Sequence, residues 1–189
     1  MNAITPPPPR KRAAPKAKAS ADPAEAVSSP ELRQLIERLP LWRRPGYLVR
    51  RLHQIHQALF LEECAEFDIT PVQYGLLTTL SLRPDADQSS LGAEVGLDRT
   101  NVADVLGRLA RRGLVSRRRG SRDQRTMVAR LTPMGAKLTK EMHAAMSRAQ
   151  ERFLSPLDEG ERQHFVETLM RLIDANNHHG RAVLGKTED

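Results

Sequence analysis

Residues 87–138 read DQSSLGAEVGLDRTNVADVLGRLARRGLVSRRRGSRDQRTMVARLTPMGAKL, and the architecture turns on this stretch. Ser89 or Ser90 can cap a short helix that runs through about Val95 and ends at Gly96. Asp98 can cap a second helix that runs to Arg112 and stops at Gly113. On that second helix Val102, Val105, Leu106 and Leu109 form an apolar stripe, while Thr100, Asn101, Asp104, Arg108 and Arg111 face away from it. Two short helices joined by a tight glycine-containing turn make a helix-turn-helix. The outward face of the second suits a major groove, where Arg reads guanine, Asn reads adenine and an acid accepts from cytosine.

After Gly113 the runs LVSRRR and RTMVARL read as strands flanking Gly120, Ser121, Arg122, Asp123 and Gln124. The expectation is a hairpin with a charged tip, the wing of a winged helix. A narrow minor groove attracts arginine, which fits Arg122 or Arg125 at such a tip. Asp123 is better suited to pair with an arginine and aim it than to meet DNA itself. Arg117, on the first strand, is a candidate phosphate contact. A solvated hairpin is the plain alternative, and the helix-turn-helix just before it weighs against that.

Charge is concentrated in the same place. The chain of 189 residues carries a formal net charge of +7. From Arg99 to Arg125 there are nine arginines against only Asp104 and Asp123, so this block alone matches the whole-chain excess. A solvated face usually alternates its signs; an all-arginine block inside a folded region points to nucleic acid. No apolar run is long enough to span a bilayer, and no apolar segment follows the basic N-terminus as in a secretory signal. The expectation is a soluble, cytoplasmic protein. Only one cysteine is present, Cys64, which excludes an internal disulfide or a cysteine-built zinc site.

Residues 1–29 hold six of the thirteen prolines, many alanines and little to bury, and read as a disordered basic tail. A helix is expected from Pro30 to about Leu39. Pro40 and Pro45 then bracket a turn containing Trp42, and a second helix runs from Gly46 to about Phe67. Thr70 and Pro71 open a third helix that ends near Arg83. Pro133 opens a long helix carrying Leu138, Met142, Met146, Ala149 and Phe153, and Asp158 starts a last one with Phe165, Leu169, Leu172 and Ile173. Neither terminal helix is expected to fit beneath so small a winged region, so both call for a twofold partner. The divisions are 1–29 (tail), 30–69 (dimerisation and effector helices), 70–132 (winged helix-turn-helix), 133–184 (C-terminal dimerisation helices) and 185–189 (tail).

Asp123-x-Arg125, then Leu131-Thr132-x-x-Gly135, following LDRTNVADVLGRLARRGLV, resembles the wing signature and recognition helix of the MarR family of winged-helix transcriptional regulators. The resemblance covers about residues 30–184. It implies a mostly α fold with a small β-wing, a winged helix-turn-helix homodimer with interlocked terminal helices, and double-stranded DNA with a palindromic operator as partner. By position it implies that Asp123 orients Arg125 and that Thr100, Asn101, Asp104 and Arg108 face the bases; Arg99, at the start of the same helix, is a further DNA-binding candidate. Ser89 and Ser90 are implied to lie near phosphates. RPGYLVRRLHQIHQALFLEECAEFDITPVQY is similar to the branch of that family governing aromatic-acid and nicotinate degradation, which implies repression relieved by a small aromatic acid effector.

Other residues keep more than one reading. His53 and His56 share a face with Val49 and Phe60, and can bind the polar end of an aromatic acid or sit at a dimer seam. Their spacing also permits a metal, although no third ligand is evident. Trp42 can wall an aromatic pocket or anchor its turn to a partner. Cys64 can sense oxidants, giving a redox-responsive regulator as the alternative, or be an inert thiol near the core; its neighbours Glu62, Glu63 and Glu66 oppose a thiolate. No phosphate-binding glycine loop, nucleophile elbow or Ser/His/Asp set is present, so neither an enzyme nor a cofactor is expected.

Overall fold

The computed structural model describes residues 27–120, 125–180 and 183, with the side chain of Arg99 excepted. The chain forms two units, divided between Arg51 and Leu52. In the first, Ser29 caps helix α1 (Pro30–Arg38) by accepting from the Leu32 N–H, and a 3-10 turn spans Pro40–Arg43. Helix α2 (Pro45–Glu63) crosses the boundary and is shorter than expected. Past Cys64 the chain tightens into a 3-10 turn, Ala65–Phe67, closed by Asp68 in the left-handed region at φ 50°. An acidic side chain tolerates that conformation better than most.

The second unit holds the winged region. Thr70 opens helix α3 (Pro71–Leu82) with a capping box: its hydroxyl accepts from the Gln73 N–H, and its own N–H donates to the Gln73 side chain. Strand β1 (Ala86–Asp87), helix α4 (Gln88–Val95) and helix α5 (Arg99–Arg111) follow. Strands β2 (Val115–Arg119) and β3 (Met127–Leu131) complete an antiparallel sheet of order β1-β3-β2, with Ala86 opposite Ala129 and Val115 opposite Leu131. The two-strand wing is thus a three-strand sheet. Two residues are too few to leave an alternating pattern, which is why β1 was not legible.

Side chains of α2, α3, α4, α5 and the sheet meet in one core, in which Phe60, Leu76, Leu77, Leu91, Val102, Leu106 and Leu109 are fully enclosed. Helix α6 (Pro133–Leu154) belongs to it as well, because Met142 and Ala145 are buried in the same cluster. This corrects the expectation that both terminal helices lie outside the winged unit. Arg148 and Arg152 reinforce the packing with bonds of 2.8 Å to the two Glu63 oxygens, and Arg152 reaches Glu62 at 2.9 Å. Helix α7 (Glu159–Asn176), capped by a box between Asp158 and Glu161, has no buried residue.

The Leu131-Thr132-x-x-Gly135 motif acquires a physical account here. Thr132 accepts from the Gly135 N–H at 3.0 Å to cap α6, and its hydroxyl donates to the Gly113 carbonyl at 2.6 Å. Its N–H reaches the Leu114 carbonyl at 3.0 Å. A Cβ on residue 135 would lie 2.0 Å from that same carbonyl oxygen, so only glycine lets the start of α6 lie against the Leu114 backbone.

Candidate nucleic-acid interface

Helix α5 is set at both ends. Asp98 caps its N-terminus, and its C-terminus closes on Gly113 at φ 72°, with the Leu114 N–H bonding back to Leu109. Helix α4 ends in the same way on Gly96, also at φ 72°, with the Leu97 N–H bonding to Gly92. That left-handed step is the turn of the helix-turn-helix. Once Val102, Val105, Leu106 and Leu109 are buried, the helical period leaves Thr100, Asn101, Asp104, Arg108 and Arg111 exposed together. Among the described residues no acid pairs with Arg108 or Arg111. The amide of Asn101 is held: its Nδ2 donates to Asp98 Oδ2 at 2.7 Å, and its backbone N–H donates to Asp98 Oδ1 at 2.9 Å.

The start of α4 corrects the expected cap. Asp87, not Ser89 or Ser90, is the N-cap: its Oδ1 accepts from the N–H groups of Ser89 and Ser90 at 2.8 and 3.0 Å, and its Oδ2 accepts from the Ser90 hydroxyl at 2.6 Å. A carboxylate one residue before the helix outcompetes a hydroxyl inside the first turn, because it accepts two donors at once. Burial pushes the Asp87 carboxyl up, but those hydrogen bonds prevail and its pKa lies below the ordinary value. Ser90 therefore has its proton committed. Ser89 is exposed and shares a recess of about 380 Å³ with Asp87, Gln88, Arg125, Thr126 and Met127. The structure thus brings Ser89 and Arg125, distant in sequence, to one polar hollow at the base of the wing.

Several of the nine arginines have intramolecular duties. Arg112 donates through Nη2 to the Phe67 carbonyl at 3.2 Å and through Nη1 to that of Asp68, pinning the turn before α3. Arg118 pairs with Asp85 at 3.0 Å, and Arg130 from β3 pairs with the same carboxylate. Their hydrogen bonds, that of Arg130 foremost, hold the Asp85 carboxyl below its usual range. Arg117 is half-buried, with its Nη1 over Gly107 of α5 and its Nε enclosed, so it braces the sheet against the helix instead of facing a phosphate freely. Arg119 and Arg125 are engaged too. Asp85 was missed by sequence reasoning; its one sequence signal is an acid just after Arg83-Pro84, and the structure places it at φ 64°, a conformation aspartate tolerates. Arg122 and Asp123 lie outside the described residues, as does the side chain of Arg99.

The remaining candidates fall in both units. Trp42, in the first, meets Tyr47 edge-on at 5.3 Å between ring centroids and lies 5.8 Å beneath the Arg51 guanidinium. His56, in the second, is half-buried and edge-on to Phe153 of α6 at 5.5 Å. Burial, and then the charge of His53, push its pKa below the ordinary 6.5. His53 is exposed. Cys64 is only 2% exposed, and burial, followed by Glu63, pushes its thiol up. Among the described residues no group of three His, Cys, Asp or Glu side chains is placed to hold a metal, and no helix is long and apolar enough to cross a membrane.

Residues 69–127 match the model of the MarR family. The HTH-type transcriptional repressor NicR of Pseudomonas putida is 27% identical over 135 residues, which is 71% of this chain and 85% of that protein. The crystal structure of the PcaV transcriptional regulator of Streptomyces coelicolor, in complex with its natural ligand, is 36% identical. It covers 70% of this chain and 93% of PcaV, with a TM-score of 0.64. Bordetella bronchiseptica BpsR, whose DNA binding is regulated by 6-hydroxynicotinic acid, is 26% identical with a TM-score of 0.67, over 69% of this chain and 94% of its own. A chain with this recognition helix, this sheet and these relatives is not an enzyme; it belongs to the MarR family and is a winged-helix transcriptional regulator.

Proposed function

We propose that the protein is a homodimeric repressor that binds a palindromic operator and is released by a small aromatic carboxylate, with a hydroxylated nicotinate as the leading class. The observation that carries the DNA reading is the division of α5 into an enclosed apolar side and an exposed face of Thr100, Asn101, Asp104 and Arg108. Set in a major groove, such a face offers donors and acceptors to base edges. Ser89 supplies a backbone contact from the recess it shares with Arg125, Arg122 or Arg125 probes the minor groove, and Asp123 orients Arg125. Two copies related by a twofold axis present two such helices to sites about one turn of DNA, roughly 34–36 Å, apart.

The exposed apolar side chains of α7 support the dimer, since Met170, Leu172 and Ile173 are each more than half exposed within one chain. The effector reading draws on the relatives regulated by or crystallised with small ligands and on His56, a half-buried imidazole edge-on to an aromatic ring. His53 and His56 are the proposed polar contacts for the acid, and Trp42 stays a candidate in its own unit. The effector acts only through unequal affinity for the DNA-competent and released forms. Ligand and operator therefore weaken each other by the same factor. Titrating operator duplex at increasing 6-hydroxynicotinate and related acids tests this: a matching drop in both affinities is expected, and an unchanged operator affinity across the panel rejects the effector class. The redox alternative is disfavoured by the enclosed, raised-pKa thiol of Cys64.

A further inference from the structure

We infer that Asp98 is a positioning residue that presents Asn101 as a reader of adenine in each operator half-site; this rests on α5 entering the major groove. The two Asp98 oxygens are shared out, one to the backbone N–H of Asn101 and the other to its side-chain amide. A carboxylate accepts and cannot donate, so the bond decides which way the amide points: nitrogen toward Asp98, carbonyl away. One N–H and the carbonyl oxygen of Asn101 are left over, on an exposed side chain. Adenine is the base whose major-groove edge offers the complement, an acceptor at N7 beside a donor at N6. The lock thus removes the alternative amide orientation before DNA arrives.

The identity of residue 98 supports the assignment. As a helix cap alone, Ser or Asn serves about as well as Asp. A negative charge at the leading end of a helix that approaches a polyanion works against association. What the carboxylate adds over a hydroxyl is a second acceptor, and the structure shows that acceptor on the amide of Asn101. Among the described residues Asp104 and Arg108, further along the same exposed face, do not bond to this pair and can specify other bases.

The test uses the full-length protein. Duplexes selected from a random pool define the half-site, and binding is then compared for that site, for its adenine replaced by each other base, and for 7-deazaadenine, which lacks the N7 acceptor. Wild type is expected to lose roughly tenfold to a hundredfold on base replacement and a smaller factor with 7-deazaadenine. Asn101→Ala is expected to be indifferent to both changes. Asp98→Ser and Asp98→Asn keep a cap but lose the second acceptor. They are expected to discriminate for adenine roughly threefold to tenfold less well, as the competent amide orientation falls to a fraction of its population. Their melting temperature is expected to hold, and their affinity for random duplex to hold or rise because an acid is gone. Asp98 variants that discriminate like wild type overturn the positioning role. Wild-type indifference to 7-deazaadenine, or a preference kept by Asn101→Ala, overturns the adenine assignment. A wild-type protein that selects no sequence at all overturns the proposed function along with it.

Discussion

Helices α5 and α7 are alike on paper: each is amphipathic, capped by an aspartate and rich in charge, yet they end in opposite states. Every apolar side chain on the α5 stripe is buried by the chain's own α3, α4 and sheet. On α7 none is, and Val166, Met170, Leu172 and Ile173 stand exposed. Apolar surface removed from water contributes about 25 cal/mol per Å² wherever the covering atoms come from. The difference shows which helix the monomer's own core holds and which one keeps its apolar face bare. It also means that the orientation of the polar face of α5 is dictated by a full core, not by another molecule.

The comparison is broken most directly at α7. The double variant Met170→Glu, Ile173→Glu is expected to abolish the dimer at micromolar concentration while leaving the winged unit folded, since burying each carboxylate costs several kcal/mol. Sedimentation and far-UV circular dichroism check it together, and a dimer that survives would mean that the exposed face of α7 is not the seam. Within α5, Leu106→Ala is expected to cost about 2–5 kcal/mol in urea unfolding, at every protein concentration. A loss that vanishes at high concentration would place Leu106 in the interface instead.

On the outward side of α5, Arg108→Ala is expected to weaken operator binding by about 1–3 kcal/mol with an unchanged melting temperature. Equal weakening for random duplex would make Arg108 a phosphate contact. The smallest effect concerns pH at the α2–α6 packing. Burial holds the His56 pKa below 6.5, so below that pH the unfolded chain takes up a proton that the folded one resists. Stability is therefore expected to fall as pH drops from about 6.5, and the fall to shrink in His56→Gln. Thermal melts at pH 7.5 and 5.5 compare the two, and equal slopes would remove His56 as the cause.

Much of this was legible in order along the chain. The α5 stripe at Val102, Val105, Leu106 and Leu109, the caps Thr70, Asp98 and Asp158, and the stops at Gly96 and Gly113 each follow from residues within four positions of one another. Local hydrogen bonding and helical period decide such features, so a reader of the letters can find them. The α6 pattern was found too, but its destination was not. Met142 and Met170 look equally apolar in sequence, and only three-dimensional packing assigns one to the core and leaves the other bare.

The charge block shows the same boundary. Nine arginines between residues 99 and 125 announce a polyanion partner, because their sum is a property of composition. Which of them face outward depends on partners far away in the chain, such as Asp85 for Arg118 and the carbonyls of Phe67 and Asp68 for Arg112. The choice of Asp87 over Ser89 and Ser90 as the cap likewise waited on where strand β1 ends and α4 begins. Helical period, the caps Thr70, Asp98 and Asp158, and net charge are local or compositional quantities that the amino-acid order determines alone. Burial, ion pairing and the meeting of Ser89 with Arg125 depend on which distant surfaces touch, and that was decided by tertiary packing.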